Sequence, residues 1–387
     1  MNEPEQGFPA SEYARRTAAL QDGLARAGLA ALLLTTEADV SHVTGFATRF
    51  WESPTRPWFV VLPVAGEPLA VIPAIGAACM ARTWIRDIRT WQSPDLVDDG
   101  VGLLAATLLE VAPAGGRIGL PMGPETHLRM PVADFERLRS AVAPLTFGDA
   151  MAVVRRVREV KSAGEIDKIR AACGVADRAF ARLPEIAGVA VPLDRVFRGF
   201  QIACLEAGAD RVAYLAGAAG PGGYADVIST ATAEPLAEGD VLMLDTGVVR
   251  DGYFCDVDRN VAIGKAGDAV RRAHALLYAA VEAGLAAVRP GLPAEALHRA
   301  MAGAIEVRGG APASGRFGHG LGLQLTEWPS LMPGDRTVLR EGMVLTLEPA
   351  VLLGPERLMV AEENIVVRAD GAELLSTRAP AELPVIE

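Results

Sequence analysis

Two aspartates, Asp245 and Asp256, lie in a stretch of the chain that has the pattern of a β-hairpin. Each belongs to an apolar run, and the Asp251-Gly252 pair between the runs is typical of a hairpin turn. If the turn is centred between residues 250 and 251, the two aspartates lie directly opposite each other, with Cβ atoms about 5 Å apart. Two carboxylates at that separation cost several kcal/mol unless a cation lies between them. The spacing therefore indicates a metal site; the alternative is an edge hairpin with two solvated aspartates.

A histidine and two glutamates further along the chain extend this pattern. His319 lies among glycines, which leave the backbone free to approach a ligand closely. Glu348 and Glu363 lie in apolar runs, and a turn centred between residues 355 and 356 would place them opposite each other. Taken singly, such residues also occur in plain turns, at sheet edges or in ion pairs. Together, four carboxylates and one imidazole suit two hard or borderline divalent ions. Two such ions about 3.5–4 Å apart would hold a bridging hydroxide as the nucleophile of a hydrolysis.

The residues with this chemistry fall in the second of two predicted domains. Residues 1–155 alternate strand-like runs, such as 31–36 and 58–63, with helical runs, which predicts an α/β domain. Ser162 and Glu165 form a capping box at the start of a helix. Two more helices and several strands follow, which predicts an α+β domain over residues 156–387.

Composition limits the classes of protein that need to be considered. The chain of 387 residues is half hydrophobic, which is enough for two sizeable cores, and its net charge of −11 argues against nucleic-acid binding. It has no apolar run of about 18 residues, which argues against a membrane span. Its polar, acidic N-terminus does not resemble a signal peptide. The four cysteines lack metal-type spacing and indicate reduced thiols, so a cytoplasmic location is predicted.

In type and order, these residues resemble the metal ligands of the pita-bread metallohydrolase family, which includes methionine aminopeptidase, aminopeptidase P, prolidase and the metal-free creatinase. The family pattern is an Asp, a second Asp eleven residues on, a Gly-flanked His, a Glu before Pro, and a final Glu before Asp or Asn. The residues that match it in order are Asp245, Asp256, His319, Glu348 and Glu363. The resemblance covers the whole chain. It implies a creatinase-like N-terminal α/β domain followed by an α+β pita-bread (creatinase/aminopeptidase) catalytic domain.

The resemblance also implies a role for each ligand. Asp245 would bind one ion, and Asp256 and Glu363 would bridge the two ions. His319 and Glu348 would complete the shell of the other ion. Glu348 is also the candidate general base, because the equivalent glutamate of the family lies beside the bridging hydroxide. Manganese is the expected metal, with cobalt, iron or zinc as alternatives.

The first hairpin contains a competing carboxylate, Asp258. A two-residue Asp251-Gly252 loop would place Asp258, instead of Asp256, opposite Asp245. The family pattern favours Asp256 as the ligand. In the family, a Thr usually stands at the position of Asp258.

Two positions depart from the peptidases of this family. Those enzymes carry a His twelve residues before the Asp of a Gly-Asp pair and another seven residues after the metal-binding His; Ile228 and Thr326 stand there in this chain. The two imidazoles are thought to orient the scissile amide and stabilise the tetrahedral intermediate, and losing such a donor typically costs about 10²–10³ in rate. Hydrogen-bonding and aromatic side chains nearby are the predicted replacements in substrate binding. They are Tyr224, Asp226, Thr326, Glu327 and Trp328. The alternative for residues 327–329 is a structural loop.

These features favour a dinuclear-metal-dependent hydrolase of the Xaa-Pro aminopeptidase or dipeptidase type. The departures leave open a metallohydrolase or lyase that acts on a small non-peptide molecule on the same fold and, with less support, a non-catalytic binding protein. The resemblance also implies a homodimer in which the N-terminal domain lies near the partner's active site. In that arrangement the loop 49–58 would reach the site, and Arg56 would meet a substrate carboxylate. Alternatively, the aromatic residues of this loop cap the local core.

Overall fold

The structure is a computed structural model that describes residues 6–53 and 56–387. The chain divides into two compact units, of which the first ends at Arg158 and the second begins at Glu159. The predicted domain boundary after residue 155 falls inside the last helix of the first unit. Each unit has its own hydrophobic core.

The first unit alternates helices and strands along the chain. In order, its elements are α1 (Ala10–Ala27), β1 (Ala31–Leu34), α2 (Glu37–Thr44), β2 (Phe59–Pro63), β3 (Leu69–Pro73), α3 (Ala77–Met80), β4 (Asp87–Trp91), α4 (Val101–Val111), β5 (Arg117–Leu120), α5 (Val132–Ala141), β6 (Thr146–Asp149) and α6 (Met151–Arg158).

These strands form one mixed sheet in the order β4-β3-β2-β1-β5-β6. Successive side chains of a strand point to opposite faces. Leu32 and Val60 therefore pack with α1, α2 and α6, whereas Leu33 and Val61 pack with α4 and α5 on the other face. Because both faces are covered, the central strands are continuous apolar runs. The predicted α/β class of this unit is confirmed.

The second unit contains more strands, most of them short. In order, its elements are α7 (Ala163–Ala181), α8 (Leu183–Ile186), α9 (Leu193–Glu206), β7 (Arg211–Pro221), β8 (Asp240–Arg250), β9 (Tyr253–Phe254), β10 (Val257–Ile263), α10 (Asp268–Ala287), α11 (Ala294–Glu306), β11 (Ala311–Pro312), β12 (His319–Gly320), β13 (Glu327–Ser330), β14 (Val344–Leu347), β15 (Ala350–Leu352), β16 (Leu358–Val360), β17 (Glu363–Arg368), β18 (Gly371–Leu374) and β19 (Val385–Ile386).

Three sheets of the second unit pack against its helices. One has the order β19-β10-β8-β7, with β9 paired to β8; the others are β11-β15-β16 and β13-β12-β14-β17-β18. Apart from β10 and β19, which are parallel, neighbouring strands of these described sheets are antiparallel. Side chains of α10 and α11, such as Leu277 and Met301, share a core with Met243 and Leu345 from the strands. The predicted α+β class is confirmed.

Two apolar runs that the sequence presents as single strands are each interrupted in the structure. The run 343–353 divides into β14 and β15, and the run 358–367 divides into β16 and β17. In both cases the two pieces belong to different sheets. Glu348 and Glu362 lie at these two interruptions, where the chain passes from one sheet to the other.

The start of the first helix in this unit agrees with the sequence. The Ser162 side chain accepts a hydrogen bond from the backbone N–H of Glu165, and the Glu165 side chain accepts one from the backbone N–H of Ser162. The predicted capping box is therefore confirmed. No helix formed by residues 6–53 or 56–387 combines the length and apolar character needed to cross a lipid bilayer.

Candidate metal centre

The first hairpin turns one residue later than predicted. Asp251 and Gly252 occupy the turn with φ angles of 47° and 80°, as in the type I′ turns that match the twist of a hairpin. The ladder that follows pairs Asp245 with Asp258. The prediction that Asp256 lies directly opposite Asp245 is therefore wrong, and Asp258 takes that position.

Asp256 nevertheless lies beside Asp245, because it leaves the ladder between β9 and β10. Its backbone N–H donates to Oδ1 of Asn364 at 3.0 Å, and Nδ2 of Asn364 donates to its carbonyl oxygen. One amide side chain thus satisfies both backbone groups of Asp256, which a regular ladder would otherwise have to pair. The carboxyl groups of Asp245 and Asp256 are within hydrogen-bonding reach of each other.

The glycines around His319 allow strand backbones to approach it closely. A Cβ atom on Gly320 would lie 1.9 Å from the carbonyl oxygen of Trp328, and one on Gly318 would lie 2.2 Å from that of Thr346. Real Cβ atoms do not approach other atoms so closely. The sequence pattern suggested that these glycines allow a ligand to approach the backbone. In the structure they allow the backbones of neighbouring strands to approach.

The imidazole of His319 belongs to a group of three buried side chains of metal-ligand type. Nδ1 lies 2.8 Å from the carbonyl oxygen of Gly320, so N–H donation from Nδ1 leaves the lone pair on Nε2. Nε2 lies 3.4 Å from Oδ2 of Asp256. Asp256, His319 and Glu362 each offer one ligand atom, and these three atoms lie within 4.8 Å of one another. With metal–ligand distances of about 2.1 Å, one cation fits between such atoms.

The glutamate in this group is Glu362, whereas the sequence predicts Glu363. The ladders on either side pair Leu347 with Glu363 and Ala350 with Val360, so Glu348 is opposite Glu362. A change of one residue in the pairing moves a side chain to the other face of its strand. The structure thus brings Glu362, and not the predicted Glu363, to Asp256 and His319.

Glu363 itself is enclosed by groups that donate hydrogen bonds. Its Oε2 accepts from Arg259 at 3.0 Å and from Ser376 at 2.6 Å. Its Oε1 accepts from Arg378 at 3.1 Å and from the backbone N–H of Ala379 at 2.7 Å. Both oxygens are therefore engaged, and this carboxylate joins β17 to β10 and to the segment 376–379.

Four carboxylate oxygens of the centre are shielded from solvent and have no hydrogen-bond partner among the described residues. They are Oδ1 of Asp245, Oδ1 of Asp256, Oδ2 of Asp258 and Oε1 of Glu362. Leaving a buried acceptor unsatisfied costs about 1–3 kcal/mol, and more for a charged group. Carboxylate oxygens and an imidazole nitrogen are ligands for divalent cations. The residues present therefore fit a bound metal.

Burial and mutual repulsion raise the pKa values of the acids in the centre. Burial is the main cause for Asp245, Asp256 and Glu362, and neighbouring carboxylates raise their pKa values further. Burial raises the pKa of Glu348 from 4.5 to about 7, opposed mainly by the charge of His319. A bound cation would stabilise the ionised forms, so these shifts belong to the metal-free protein.

Partial exposure of Asp245 and Glu348 marks the open side of the centre. Burial, together with the nearby carboxylates of Asp245, Asp256 and Glu348, raises the pKa of Tyr214 on β7. The positive charge of Arg316 partly opposes the rise in the pKa values of Asp256 and Glu348. Sequence reasoning missed Tyr214 and Arg316, because neither has a distinctive local pattern. Only the pairing of β7 with β8 brings Tyr214 to the centre.

The structure contradicts the predicted substrate-binding role of Tyr224. Its side chain is 2% exposed. Its hydroxyl accepts a hydrogen bond from the backbone N–H of Val360 at 2.7 Å and lies 3.1 Å from Oδ1 of Asn260, to which it donates. Both the burial and the hydrogen bonds show that Tyr224 is a core residue, which joins β16 to β10.

The segment around Thr326 and Trp328 is anchored to the fold. Glu327, which is 1% exposed, forms an ion pair with Lys161 at 3.1 Å and accepts a hydrogen bond from the backbone N–H of Gln324. Trp328 is 6% exposed and Thr326 is half-buried. These contacts support the alternative of a structural loop, and substrate contact by Thr326 and Trp328 stays a prediction.

Arg56 belongs to the aromatic loop of the first unit, where Pro54 and Thr55 lie outside the described residues. Its guanidinium lies 5.9 Å from the ring centre of Phe50, and its carbonyl oxygen accepts a hydrogen bond from Arg129 at 2.6 Å. Nearby aromatic rings pack into the local core, in agreement with the alternative interpretation of this loop. The binding of a substrate carboxylate by Arg56 stays a prediction.

We expect the substitution Asn364→Ala to weaken metal binding although it removes no ligand. The backbone of Asp256 would lose both hydrogen bonds that hold it, and loss of an outer partner typically costs about 10–100-fold in metal affinity. Titration of metal-free protein with MnCl₂ would measure the change, with the exposed Gln201→Ala as a control. An unchanged affinity in a folded Asn364→Ala protein would contradict this positioning role.

The fold of the second unit and its cluster of carboxylates around one imidazole define a metal-dependent hydrolase. The sequence matches the Metallopeptidase family M24 over residues 167–369 and the Creatinase/Prolidase N-terminal domain over residues 16–160. The chain belongs to metallopeptidase family M24. The predicted family resemblance is therefore confirmed, and membership of this family implies divalent metal ions.

Individual relatives are similar over most or all of the chain. A protein from Mycobacterium tuberculosis (strain ATCC 25618 / H37Rv), described as a probable dipeptidase PepE, is 32% identical over 383 residues, which is 98% of each chain. The crystal structure of dipeptidase PepE from Mycobacterium ulcerans is 29% identical, has a TM-score of 0.84, and covers 98% of this chain and 99% of its own. The Xaa-Pro dipeptidase of Pyrococcus horikoshii is 26% identical over 64% of this chain and 71% of its own.

Proposed function

We propose that this protein is a dinuclear-metal-dependent dipeptidase of the Xaa-Pro type. The observation that carries the proposal is the cluster of unsatisfied buried carboxylate oxygens beside Nε2 of His319. Relatives described as dipeptidase and Xaa-Pro dipeptidase support the substrate class. The proposed ligands of two divalent ions, with manganese as the first candidate, are Asp245, Asp256, His319, Glu348 and Glu362.

The side chains around the proposed ions have distinct tasks. When bound, the ions would supply Lewis acidity and lower the pKa of water towards 7. Glu348 lies on the open side of the centre and, with a pKa near neutrality in the metal-free state, is placed to accept and return a proton. Tyr214 lies near Asp245 and is placed to orient its carboxylate. Arg316 provides positive charge for a substrate carboxylate or for the charge that develops on the attacked carbonyl.

A hydrolase or lyase for a small non-peptide molecule is the second candidate. One observation favours it: both positions at which peptidases of the family carry an imidazole are occupied by other residues. At the first, the side chain of Ile228 is 78% exposed on a loop. The neighbouring Asp226 accepts hydrogen bonds from Ser229 and from the backbone of Ile228, so its carboxylate serves the local turn. The peptide-handling groups of this chain must therefore differ from those of the family's peptidases.

Hydrolysis of a substrate panel by the manganese-loaded protein tests the proposal. We expect turnover of Xaa-Pro dipeptides, its loss after chelation, and a fall in kcat of roughly 10²–10⁴-fold for Glu348→Gln, the usual contribution of a general base. The exposed Glu341→Gln, which makes the same chemical change outside the centre, is the control. Turnover of small non-peptide amides without dipeptide hydrolysis would favour the second candidate, and absence of divalent-metal binding would refute both.

We further propose that the protein is a cytoplasmic homodimer. The four cysteines are free thiols, as expected in a reducing compartment. The dimer follows from the resemblance to two-domain members of the family. Light scattering of the purified protein should give twice the chain mass of 40.6 kDa, and a monomeric mass at micromolar concentration would contradict it.

A further inference from the structure

Asp258 occupies the position directly opposite Asp245 in the β8–β10 ladder. Opposed residues of an antiparallel pair project from the same face of the sheet, with Cβ atoms about 4.5–5.5 Å apart. Asp256 lies just before β10, and its carboxyl group is within hydrogen-bonding reach of that of Asp245. Strand pairing therefore brings three carboxylates together, although the sequence favoured only two of them.

One oxygen of Asp258 is engaged and the other is not. Oδ1 accepts a hydrogen bond from Nδ2 of Asn260 at 3.0 Å, and the same Nδ2 lies 2.5 Å from the carbonyl oxygen of Val360. The Oδ1 of Asn260 accepts from Tyr224. These contacts fix the orientation of the Asp258 carboxylate. Its Oδ2 is buried without a hydrogen-bond partner in the part of the chain that the structure describes.

The surroundings of Asp258 make an unpartnered charge costly. Asp258 is 2% exposed and lies opposite Asp245. Glu348 and Asp256 add further negative charge nearby, and Arg259 adds positive charge. A buried carboxylate among other carboxylates is stable only if a cation compensates it or if it is protonated.

We infer that Asp258 is a further metal-binding residue of this centre. The inference rests on the proposed function, because it assumes that the centre holds divalent ions. With Asp258, five carboxylates would face the ions. An oxygen-rich ligand set of this kind favours manganese or magnesium over softer metals.

The substitution Asp258→Asn tests the inference with little change in shape. The asparagine oxygen can still accept from Asn260, so the variant removes the charge and leaves this hydrogen bond. Isothermal titration of the metal-free protein with MnCl₂ should show two ions bound to the wild type. We expect the variant to bind at least one ion about 10–100-fold more weakly, or to lose it, since outer partners alone contribute that much.

Thermal unfolding separates a metal-binding role from a merely structural one. In EDTA, Asp258→Asn should unfold at the same or a higher temperature than the wild type, because one of several crowded negative charges is gone. In MnCl₂, it should unfold at a lower temperature. A variant that is less stable in both conditions and keeps wild-type manganese affinity would overturn the inference, while the proposed function would stand.

Wild-type crystals soaked in MnCl₂ provide a measurement that does not depend on a variant. We expect an anomalous peak within about 2.5 Å of Oδ2 of Asp258, the range of metal–carboxylate distances. Two peaks that are both more distant from Asp258 would overturn the inference and leave the proposed function intact. A wild-type protein that binds no manganese in titration would overturn both.

Discussion

The substitution Glu362→Gln is expected to abolish high-affinity metal binding, whereas Glu363→Gln is expected to preserve it. Glutamine at position 362 keeps the side-chain volume but removes the negative charge. Oε1 of Glu362 lies near Asp256 and His319 and has no hydrogen-bond partner among the described residues. A metal ligand should contribute more than the roughly 10–100-fold of an outer partner, so we expect a loss of metal affinity above 100-fold and a corresponding loss of turnover.

Glu363→Gln should instead lower stability. Arg259 and Arg378, which are 12% and 17% exposed, would each lose a carboxylate partner. Breaking a buried pair costs about 3–5 kcal/mol, and partial exposure of the two arginines places the expected cost near the lower end. The same two variants thus serve as matched controls for each other. Metal content by mass spectrometry and urea unfolding would be measured on both; loss of metal in Glu363→Gln but not in Glu362→Gln would reverse the assignment.

Metal-free protein is expected to lose stability as pH rises. The pKa of Glu348 is about 7 in the folded state against 4.5 for the unfolded chain. Between these pH values the folded state therefore binds more protons than the unfolded chain. The stabilising contribution of Glu348 is complete below about pH 4.5 and is lost as pH rises through 7. A shift of this size corresponds to about 3 kcal/mol; because Glu348 keeps some solvent contact, we expect on the order of 2 kcal/mol. The other buried acids act in the same direction.

Manganese should oppose this loss. Ligands bind metal in their deprotonated form, so affinity rises with pH, and an ion at a hundred times its Kd adds about 2.7 kcal/mol to the free energy of unfolding. Urea unfolding at several pH values between about 5 and 8, in EDTA and in MnCl₂, measures both effects. We expect the two stability curves to diverge with increasing pH and Glu348→Gln to flatten the curve in EDTA. Parallel curves would show that these acids do not bind the metal.

Residue types and their neighbours were sufficient to identify most of the candidate centre. An acid at the end of an apolar strand, or a histidine between glycines, is unusual among its sequence neighbours. Such a residue can therefore be recognised before the fold is known. Asp245, Asp256, His319 and Glu348 were found in this way, and the structure brings all four together. The class of each domain was also predictable, because alternation of helical and strand-like runs reflects which faces are buried.

The sequence did not predict strand register to within one residue. A difference of one residue determines whether Glu362 or Glu363 faces the candidate centre. The loop 353–357 has five residues, whereas the sequence suggested a four-residue Gly354–Arg357 turn. The resulting half-residue displacement of the centre exchanges Glu362 for Glu363. Similarly, a turn at Asp251-Gly252 puts Asp258 opposite Asp245. Turn length depends on backbone angles and packing that neighbouring residue types do not determine.

Contacts between distant parts of the chain could not be predicted from the sequence either. Tyr214 has no distinctive local pattern and Tyr224 was predicted to bind substrate, yet Tyr214 lies near Asp245 and Tyr224 is a core residue. The two hydrogen bonds between the Asn364 side chain and the backbone of Asp256 join residues 108 positions apart. Such contacts arise only when separate sheets are assembled, so residue spacing carries no information about them.

The end of the chain, residues 376–387, secures both hairpins that carry the candidate ligands. Ser376, Arg378 and Ala379 bind the carboxylate of Glu363, next to Glu362. Further on, β19 pairs with β10, the strand that contains Asp258. Expression design should therefore treat this segment as a support of the metal centre. A protease cut within it would change metal affinity without touching a ligand.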